Sequence, residues 1–575
     1  MFGGLPVCSY TVYKITVHDI FVLRFLYIHG VKGPMANYGV ALDLGTSGFR
    51  SHLVDLDQNG KILDTAITVR HPLPGANIMD HLHFWMKNGS ELGHRIIMET
   101  VHNLMSLYGE DKLKDIKKVA ICGNPIQLSM FENIEVRDLA FAGKNKLKTL
   151  GVVAPDRSAH VSTAGKIGIP GLDSEVEVLI PPAIRHEIGA DALAMIMKSH
   201  MLEKDQTCMV TDYGTNAEMG LYYDGELYSG SAAAGPAMEG QSIKYGVLAS
   251  PGAISDVEIG EDGLWDNIVL DDRLNPVVMH KVDPITGRDV KIVDYPIKGI
   301  TGTGTVSAVA MGLKSGAITL PNIMNAERRL KFADGVYFTQ EDVQEAGKAM
   351  GAIRAGHRTL MKEVGIDDSE VRVMYMAGAS GTYVDPIKAQ YCGMIPRVLD
   401  EVYQLGNTSL MTAHDLLKDP ETLDRMQSVA NSISANHIMF AGNQTFEDMY
   451  VLELAYWVEG MPMENFNMMM EMQGLGTMPE IVPPKKIVRI VKSDIPDVGS
   501  GVHSMEQVGI ILEGKFEGCT GCKKCERGCP ERALTVLDGP AINIRSDLCL
   551  GTACQACEMN CPEKVYHFDM LKSKF

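Results

Sequence analysis

Two stretches of this sequence share one grammar, and that grammar limits the folds open to the chain. The first, YGVALDLGTSGFRSHLVDLDQNGKILDTAIT, reads as strand (Tyr38–Leu44), tight turn (Gly45-Thr46-Ser47-Gly48), strand (Phe49–Leu56), turn (Asp57–Gly60) and strand (Lys61–Thr68). The second, CMVTDYGTNAEMGLYYDGELYSGS, repeats it. A strand ends in Asp212, the turn is Gly214-Thr215-Asn216, a strand follows, and Asp224-Gly225 turns into another. Asp43 and Asp212 stand 169 residues apart, a domain's length, so the reading is a duplicated, two-lobed chain. Each Asp-x-Gly-Thr turn has a chemical rationale. Its glycine lets backbone approach a phosphate, and successive N–H groups with the Thr hydroxyl cradle the oxygens. The aspartate can hold water around Mg2+, which keeps several waters and takes few carboxylates. A single such turn is as readily an ordinary hairpin. Two at domain spacing favour the phosphate loop.

A third element, VRVMYMAGASGTYVDP, is a buried-looking strand (Val371–Met376) running into Gly378-Ala-Ser-Gly381, where small residues let an adenine and ribose lie against backbone. Together the three resemble the phosphate-1, phosphate-2 and adenosine motifs of the actin, heat-shock chaperone and sugar-kinase superfamily. No Walker A sequence and no Gly-x-Gly-x-x-Gly occurs, and GITGTGTV (Gly299–Val306) lacks the third glycine and the lysine. Between the motifs, SELGHRIIMETVHNLMSLYG has helical spacing at Ile97, Val101, Leu104 and Tyr108, with Ser90 as its N-cap. FTQEDVQEAGKAMGAIRAGHRTLMKEVG is a helix opened by a Thr339/Asp342 capping pattern. Strands flanked by helices predict an α/β fold, two actin/sugar-kinase-like lobes around a nucleotide cleft.

The C-terminal region holds eight of the twelve cysteines. Cys519-x2-Cys522-x2-Cys525-x3-Cys529-Pro530 has the bacterial ferredoxin spacing for cubane iron–sulfur clusters. Cys549-x4-Cys554-x2-Cys557-x3-Cys561-Pro562 repeats it with two extra residues in the first gap. In two-cluster ferredoxins the fourth cysteine of each run crosses over. One 4Fe–4S cluster would therefore take Cys519, Cys522, Cys525 and Cys561, the other Cys549, Cys554, Cys557 and Cys529. Between the runs, ALTVLDGPAINI reads as a hairpin with strands either side of Asp538-Gly539. Structural zinc is the competing reading, since zinc sites also use Cys-x2-Cys pairs. Two complete Cys-x2-Cys-x3-Cys-Pro runs in tandem favour the ferredoxin. Clustered cysteines of this kind suit a reducing compartment, and the expectation is a cytoplasmic protein.

A chain of 575 residues needs more than one core. The net charge of -19 disfavours nucleic acid as a partner. The run IFVLRFLYIHGV is short and broken by Arg24, so it is neither a membrane span nor a signal peptide. Residues 1–34 are expected to be a non-native or disordered extension ahead of a natural start at Met35, the alternative being a genuine strand pair. The remaining divisions expected are a first ATPase lobe (35–205), a second (206–477), a Pro/Gly-rich linker (478–508) and a small α+β two-cluster ferredoxin-like domain (509–575).

GNPIQLSMF (Gly123–Phe131), GADALAMI (Gly189–Ile196), SAAAGPAMEG (Ser231–Gly240), GITGTGTV and AGASGTYVDP (Ala377–Pro386) resemble signature stretches of the reductive activators of corrinoid-dependent enzymes, across most of residues 37–475. Many members of that family carry an N-terminal plant-type 2Fe–2S domain. Here two 4Fe–4S motifs stand at the C-terminus instead, which resembles the methanogen branch serving methylamine methyltransferases. The resemblance implies ATP-dependent return of one electron to a Co(II) corrinoid held by a partner protein, restoring Co(I), with an external low-potential donor. No Asp-x-His-x-x-Gly cobalt-ligand motif occurs here, in keeping with a corrinoid on the partner. Each ~59 mV of uphill one-electron potential is a factor of ten, so a gap of about 300 mV costs about 7 kcal/mol. ATP coupling would supply it.

The roles implied are Asp43, Thr46 and Ser47 for phosphate and Mg2+ in the first lobe, and Asp212, Gly214 and Thr215 in the second, with Asp212 positioning the attacking water. Gly378 and Gly381 would line the adenosine, Gly302 and Gly304 would lie near the cleft, and the eight cysteines would relay electrons. Competing functions are an activator of a radical dehydratase or aromatic-ring reductase, a small-molecule kinase with a ferredoxin tail, and a non-catalytic chaperone. Other features read as structural. HLHFW (His81–Trp85) puts two imidazoles on one face of a strand, the methionine-rich 465–478 segment fills core rather than docks a partner, and Cys122, Cys208 and Cys392 are buried small apolar groups.

Overall fold

The computed structural model describes residues 36–573 apart from 76, 141–143, 184–187, 236, 238–241, 248, 538–540 and 552–553. The expected extension at 1–34 and the Asp538-Gly539 turn lie outside the described residues. The first lobe opens on an antiparallel meander of β1 (Tyr38–Gly45), β2 (Gly48–Asp55) and β3 (Lys61–Thr68). On the far side of β1 run β4 (Ile116–Gly123), β5 (His160–Thr163) and β6 (Glu177–Ile180), with β4 and β6 parallel to β1 and β5 an antiparallel edge. The apolar run of β1 is buried at six consecutive positions, which a strand covered on both faces requires.

The second lobe repeats the plan. β7 (Cys208–Tyr213), β8 (Ala217–Tyr223) and β9 (Glu226–Ala232) form the meander. Three smaller sheets are inserted after it. The largest contains β10 (Ala253–Ile259), β11 (Trp265–Leu270), β12 (Pro276–Val282), β13 (Asp289–Lys291) and β14 (Gly299–Ile300). Two hairpins follow, β15 (Ile318–Thr319) with β16 (Asn322–Ile323), and β17 (Arg329–Ala333) with β18 (Val336–Thr339). The main sheet resumes with β19 (Val373–Ala377) and β20 (Glu401–Gly406), parallel to β7. The strand orders β3-β2-β1-β4-β6 and β9-β8-β7-β19-β20 are therefore equivalent.

Helices cover both sheets. In the first lobe they include α1 (Ile78–Asn88), α2 (Ser90–Ser106), α3 (Pro125–Phe131) and α4 (Ala190–Ser199). In the second they include α5 (Gly302–Ser315), α6 (Gln340–Val364), α7 (Gly378–Tyr383) and α8 (Thr408–Lys418), and α8 crosses back to lie over β1 and β4. The Thr339/Asp342 capping box opens α6 as the sequence predicts. Ser90 does not cap α2. It is the first helical residue, and Gly89 precedes it with φ 91°, which lets α1 and α2 meet across one residue. HLHFW is also helical, within α1. At helical spacing His81 is buried and His83 exposed, so the two imidazoles share no face. Cys122, Cys208 and Cys392 are buried. The methionine-rich segment forms a helix at Met463–Met472 that buries Phe466 and Met470 and leaves Met468 and Met472 exposed.

The stretch expected to be a linker is folded into both lobes. β21 (Lys486–Arg489) adds to β20, and β22 (Val502–Met505) adds in parallel to β3. Beyond it, β23 (Ile511–Lys515), β24 (Leu534–Val536), β25 (Ala541–Arg545) and β26 (Lys572–Ser573) form a four-stranded sheet, with β24 and β25 antiparallel as the hairpin reading requires. This C-terminal module is packed on the first lobe. Leu512, Phe516, Ile542, Ile544 and Phe568 belong to the same apolar cluster as Val40, Leu42 and Phe84. Thr100 donates to Val508 O at 3.1 Å, and Phe84 meets Phe568 edge to face at 6.2 Å.

His52, on β2, is buried, and neither ring nitrogen has a hydrogen-bond partner among the described residues. Burial, then the neighbouring His414, lowers its pKa to about 4. The unfolded chain therefore binds more protons than the folded one between pH 6.5 and 4, and stability falls as pH falls through that window, by up to about 3 kcal/mol for this residue. Replacement His52→Leu removes the unpaired nitrogens and is expected to raise stability by about 1–3 kcal/mol at neutral pH. Thermal unfolding from pH 7 to 5 checks both. A variant no more stable than the parent, with an equally steep acid limb, would contradict this account.

Candidate functional site

The two hairpin turns and the strand ends beside them form the first candidate site. Gly45 pairs with Gly48, so Thr46 and Ser47 make a two-residue turn between β1 and β2. Gly48 has φ 153°, and a Cβ there would stand 2.8 Å from Thr68 Oγ1 on β3. Any other residue would push the turn off its support. Thr46 Oγ1 accepts from Asn124 Nδ2 at 3.2 Å, and Asn124 caps α3 through Oδ1.

Asp43 is only 5% exposed. Asn407 Nδ2 donates to its Oδ2 at 2.7 Å, and Arg50 lies 3.8 Å away on β2. Burial raises the Asp43 pKa, while Arg50 and Asn407 oppose the shift and the charge of Asp494 adds to it. Asp191, in the first turn of α4, is pushed up to about 6 by burial and also feels Asp43. Two carboxylates thus sit in a poorly solvated place where each discourages the other's ionisation, an arrangement that a cation relieves.

In the second lobe Asp212 lies beside Ala377 in the β7–β19 register. The next residue, Gly378, has φ 77°, and a Cβ on it would meet Asp212 Oδ1 at 2.2 Å. Only glycine lets this strand end turn so closely past the carboxylate. The turn at Gly214-Thr215-Asn216 is closed by Gly214 N to Asn216 O at 3.2 Å, and Gly235 N donates to Thr215 O at 2.8 Å. Gly381 packs with Cβ space bounded by Tyr213 at 3.1 Å. The buried amide of Gln404 donates to Gly381 O, Thr382 O and Val384 O at 2.8, 2.9 and 2.9 Å, fixing α7 against β20. Structure thus brings Asp212, Gly378 and Gly381 together at one corner and Asp43, Thr46 and Ser47 at another.

Gly304 has a packing role, and Gly302 is the first residue of the same helix. They begin α5 after the Thr301 cap, and a Cβ on Gly304 would lie 2.4 Å from Ile254 O on β10. The glycine brings α5 onto the inserted sheet, while the same helix also touches α7. Sequence reasoning singled out neither Asn407 nor Gln404, Asp191, Asn124 or Asp494 for this site. Asn124 and Asp191 sit where a strand or loop meets a helix, a readable capping signal. The partnership of Asn407 with Asp43 spans 364 residues and has no local signal.

The cysteines form the second candidate site. Cys519, Cys522, Cys525 and Cys561 line one pocket, walled by Phe516, Val536, Ile542, Val565 and Tyr566. Cys529, Cys554 and Cys557 are the thiol neighbours whose charges Cys549 feels. Each group of four therefore draws its fourth member from the other run. The two runs also share a backbone. Lys523 and Gln555 have φ 57° and 49° just before short helices, and Arg532 and Lys564 have φ 53° and 52° after each Cys-Pro-Glu. Amides point at sulfur as well, Ala533 N to Cys529 Sγ at 3.3 Å and Gly551 N to Cys549 Sγ at 3.4 Å. The first group has apolar walls and the second accepts backbone amides at Cys529 and Cys549, surroundings that suit iron–sulfur clusters, whose potentials such N–H···S bonds tune.

Comparison with known proteins agrees with this geometry. Residues 38–204 match the family model described as the RACo middle region, and residues 206–468 match that of the C-terminal, ASKHA domain of RACo. A Methanosarcina barkeri protein named [Co(II) methylated amine-specific corrinoid protein] reductase is 46% identical over 521 residues, covering 90% of this chain and 96% of its own. The corrinoid activation enzyme RamQ of Eubacterium limosum is 24% identical over 461 residues, 73% of this chain and 70% of its own. Among solved structures, a reductive activator for a corrinoid, iron–sulfur protein superposes with a TM-score of 0.59 at 23% identity, over 74% of this chain and 66% of its own, which supports the fold. With two consecutive domain models matched and a relative 46% identical along nearly its whole length, the chain belongs to the family of reductive activators of corrinoid proteins.

Proposed function

We propose that this enzyme uses ATP to reduce the inactive Co(II) form of a partner's corrinoid to Co(I), one electron at a time. The observation that carries the reading is the 46% identity to a Co(II) corrinoid protein reductase over 90% of the chain. The duplicated cleft and the two thiol groups in one packed body supply the parts that such a reaction needs.

The finer assignments are ours. The amides and hydroxyls at Thr46, Ser47, Gly214 and Thr215 hold the phosphates, and Gly378 with Gly381 leaves room for the adenosine. Asp43, with its acidic neighbour Asp191, holds Mg2+ through water. Asp212 orients a water towards the terminal phosphate and takes its proton, so that ATP and water give ADP and phosphate. The eight cysteines hold two 4Fe–4S clusters, which supply one-electron transfer at low potential when bound. An external reductant delivers the electron, and the corrinoid protein of a methylamine methyltransferase system accepts it. No helix among the described residues is long and apolar enough to cross a membrane, so nothing described ties this exchange to a bilayer.

The test is spectroscopic and anaerobic. Reduced enzyme is mixed with a Co(II) corrinoid protein, and Co(I) absorbance is followed with and without ATP. Co(I) is expected only when ATP is present, and to disappear with a Cys529→Ala/Cys561→Ala double variant. Accumulation without nucleotide, or undiminished in that variant, would refute the coupling. Within the cleft, Asp212→Asn is expected to slow phosphate release about 10²- to 10⁴-fold, the range for a positioned general base. Gly378→Ala, whose new methyl would collide with the same carboxylate, should move the rate in the same direction while Asp212 itself is intact. Unchanged phosphate release in both would remove Asp212 from the chemistry.

A further inference from the structure

The segment from Val69 to Gly75, at the exit of β3, touches both candidate sites, and its contacts form an unbroken buried chain. At the nucleotide end, Phe49 N donates to Thr68 Oγ1 at 2.7 Å, and that hydroxyl donates to Arg70 O at 2.8 Å. Phe49 follows directly on the Gly45–Gly48 turn, and its ring meets His71 edge to face at 5.2 Å. A second strand of contacts starts from Thr46. Asn124, its partner, caps α3 by accepting from Gln127 N at 3.0 Å. The Gln127 side chain then bridges two stacked imidazoles. His71 and His81 lie 3.8 Å apart and nearly parallel. Leu73 N donates to His71 Nδ1 at 3.1 Å, which leaves the proton on Nε2 to donate to Gln127 Oε1 at 3.1 Å. Gln127 Nε2 donates to His81 Nδ1 at 3.2 Å. Burial holds both imidazoles neutral, the pKa of His71 being lowered to about 4, so these donor and acceptor roles do not change near neutral pH.

At the other end the segment grips the second cysteine run. Ser546 Oγ donates to Pro72 O at 2.7 Å while accepting from Ile510 N at 3.0 Å. Gly75 N donates to Cys549 O at 2.9 Å. Gly75 has φ 132°, with Asp80 Cβ 2.2 Å and His81 Cδ2 3.2 Å from where its own Cβ would be, so the loop cannot slacken there without moving α1. Cys549 Sγ in turn accepts the Gly551 amide, and a Cβ on Gly551 would stand 3.4 Å from the Pro74 backbone.

We propose that residues 69–75, braced by the Gln127 bridge between His71 and His81, are a positioning device that makes the surroundings of Cys549 depend on whether the turn at 45–48 holds phosphate. Closely packed elements joined by buried hydrogen bonds pass displacements on instead of absorbing them, and buried amides that move relative to a cysteine sulfur change the potential of whatever it ligates. Gln127 and His71 are positioning residues, since neither touches the turn or the thiols directly. The inference rests on the nucleotide and cluster assignments made above and adds the route between them.

The test uses the full-length, cluster-loaded protein. Amide exchange is compared with and without the non-hydrolysable analogue AMPPNP and Mg2+. Nucleotide is expected to change exchange at least threefold in peptides covering both 69–76 and 546–551. An EPR-monitored redox titration is expected to show a nucleotide-dependent shift in the signal that Cys549→Ser perturbs. In Gln127→Leu the change at 546–551 and the EPR shift should be lost, while AMPPNP affinity stays within threefold of the parent. Ser546→Ala, on the other side of the junction, should uncouple the two peptides in the same way. The idea is overturned if AMPPNP binds but leaves 546–551 and the EPR signal unchanged in the parent, or if both variants respond as the parent does. A failure to form Co(I) with ATP would refute the proposed function and leave these readouts to decide the coupling on their own.

Discussion

Asp43 is the point on which the two lobes depend. A carboxylate this deeply buried is costly to keep ionised, and an unpaired one would take up a proton instead. Two groups oppose that, Arg50 from the neighbouring strand and Asn407 from the other lobe. Asn407 follows directly on β20, and three residues earlier the same strand carries Gln404, which holds the turn containing Gly381. One strand of the second lobe therefore fixes the Gly381 segment and also solvates the first lobe's acid. A rotation of the lobes cannot leave Asp43 unaffected, because the hydrogen bond at 2.7 Å has little tolerance for displacement.

The stretch between the cleft and the cysteines shows why composition alone misjudged it. Prolines and glycines at 478–508 read as a linker between the ATPase and the cluster domain, yet β20 and β3 each end a sheet with an open row of backbone groups. Open edges attract strands. The chain covers one edge with β21 and the other with β22, and between them Asp494 accepts from Asn407 N through its carbonyl and bonds Tyr383 through its carboxylate. Ser500 and His503 both reach Asp64 on β3 at 3.0 Å. The Gly499 position is specific too, since its Cβ would stand 2.3 Å from the Leu63 backbone. The segment is a strap across the lobes, and the module beyond it has no freedom to swing on a loose chain.

Much of the fold was legible because its signals are local. Both meanders, the Thr339 capping box and the strand before Gly378 follow from turn residues and apolar runs a few positions long, and Cys561 of the second cysteine run lines the pocket of Cys519, Cys522 and Cys525 of the first. What could not be read are contacts between distant residues. Asn407 with Asp43, Thr100 with Val508 and Ser546 with Pro72 each join positions hundreds of residues apart. HLHFW misled for a different reason. Alternation over five residues fits a strand, but Asn77 accepts from Met79 N and Asp80 N and so starts a helix, and the apolar residues then fall on a helical face.

The cysteine module carries the last consequence. Its halves share left-handed residues and short helices, but they do not share surroundings. The first group opens towards solvent, with Cys522 exposed and Lys523 beside it at the cavity mouth. The second has the backbone of Cys549 bonded to Gly75 and its loop laid on Pro74 of the first lobe. A cluster covered by protein feels a lower dielectric and fewer water dipoles than one at the surface, so equal ligand sets do not imply equal potentials. Docking a module of two similar halves on one lobe is thus enough to make those halves electrically different.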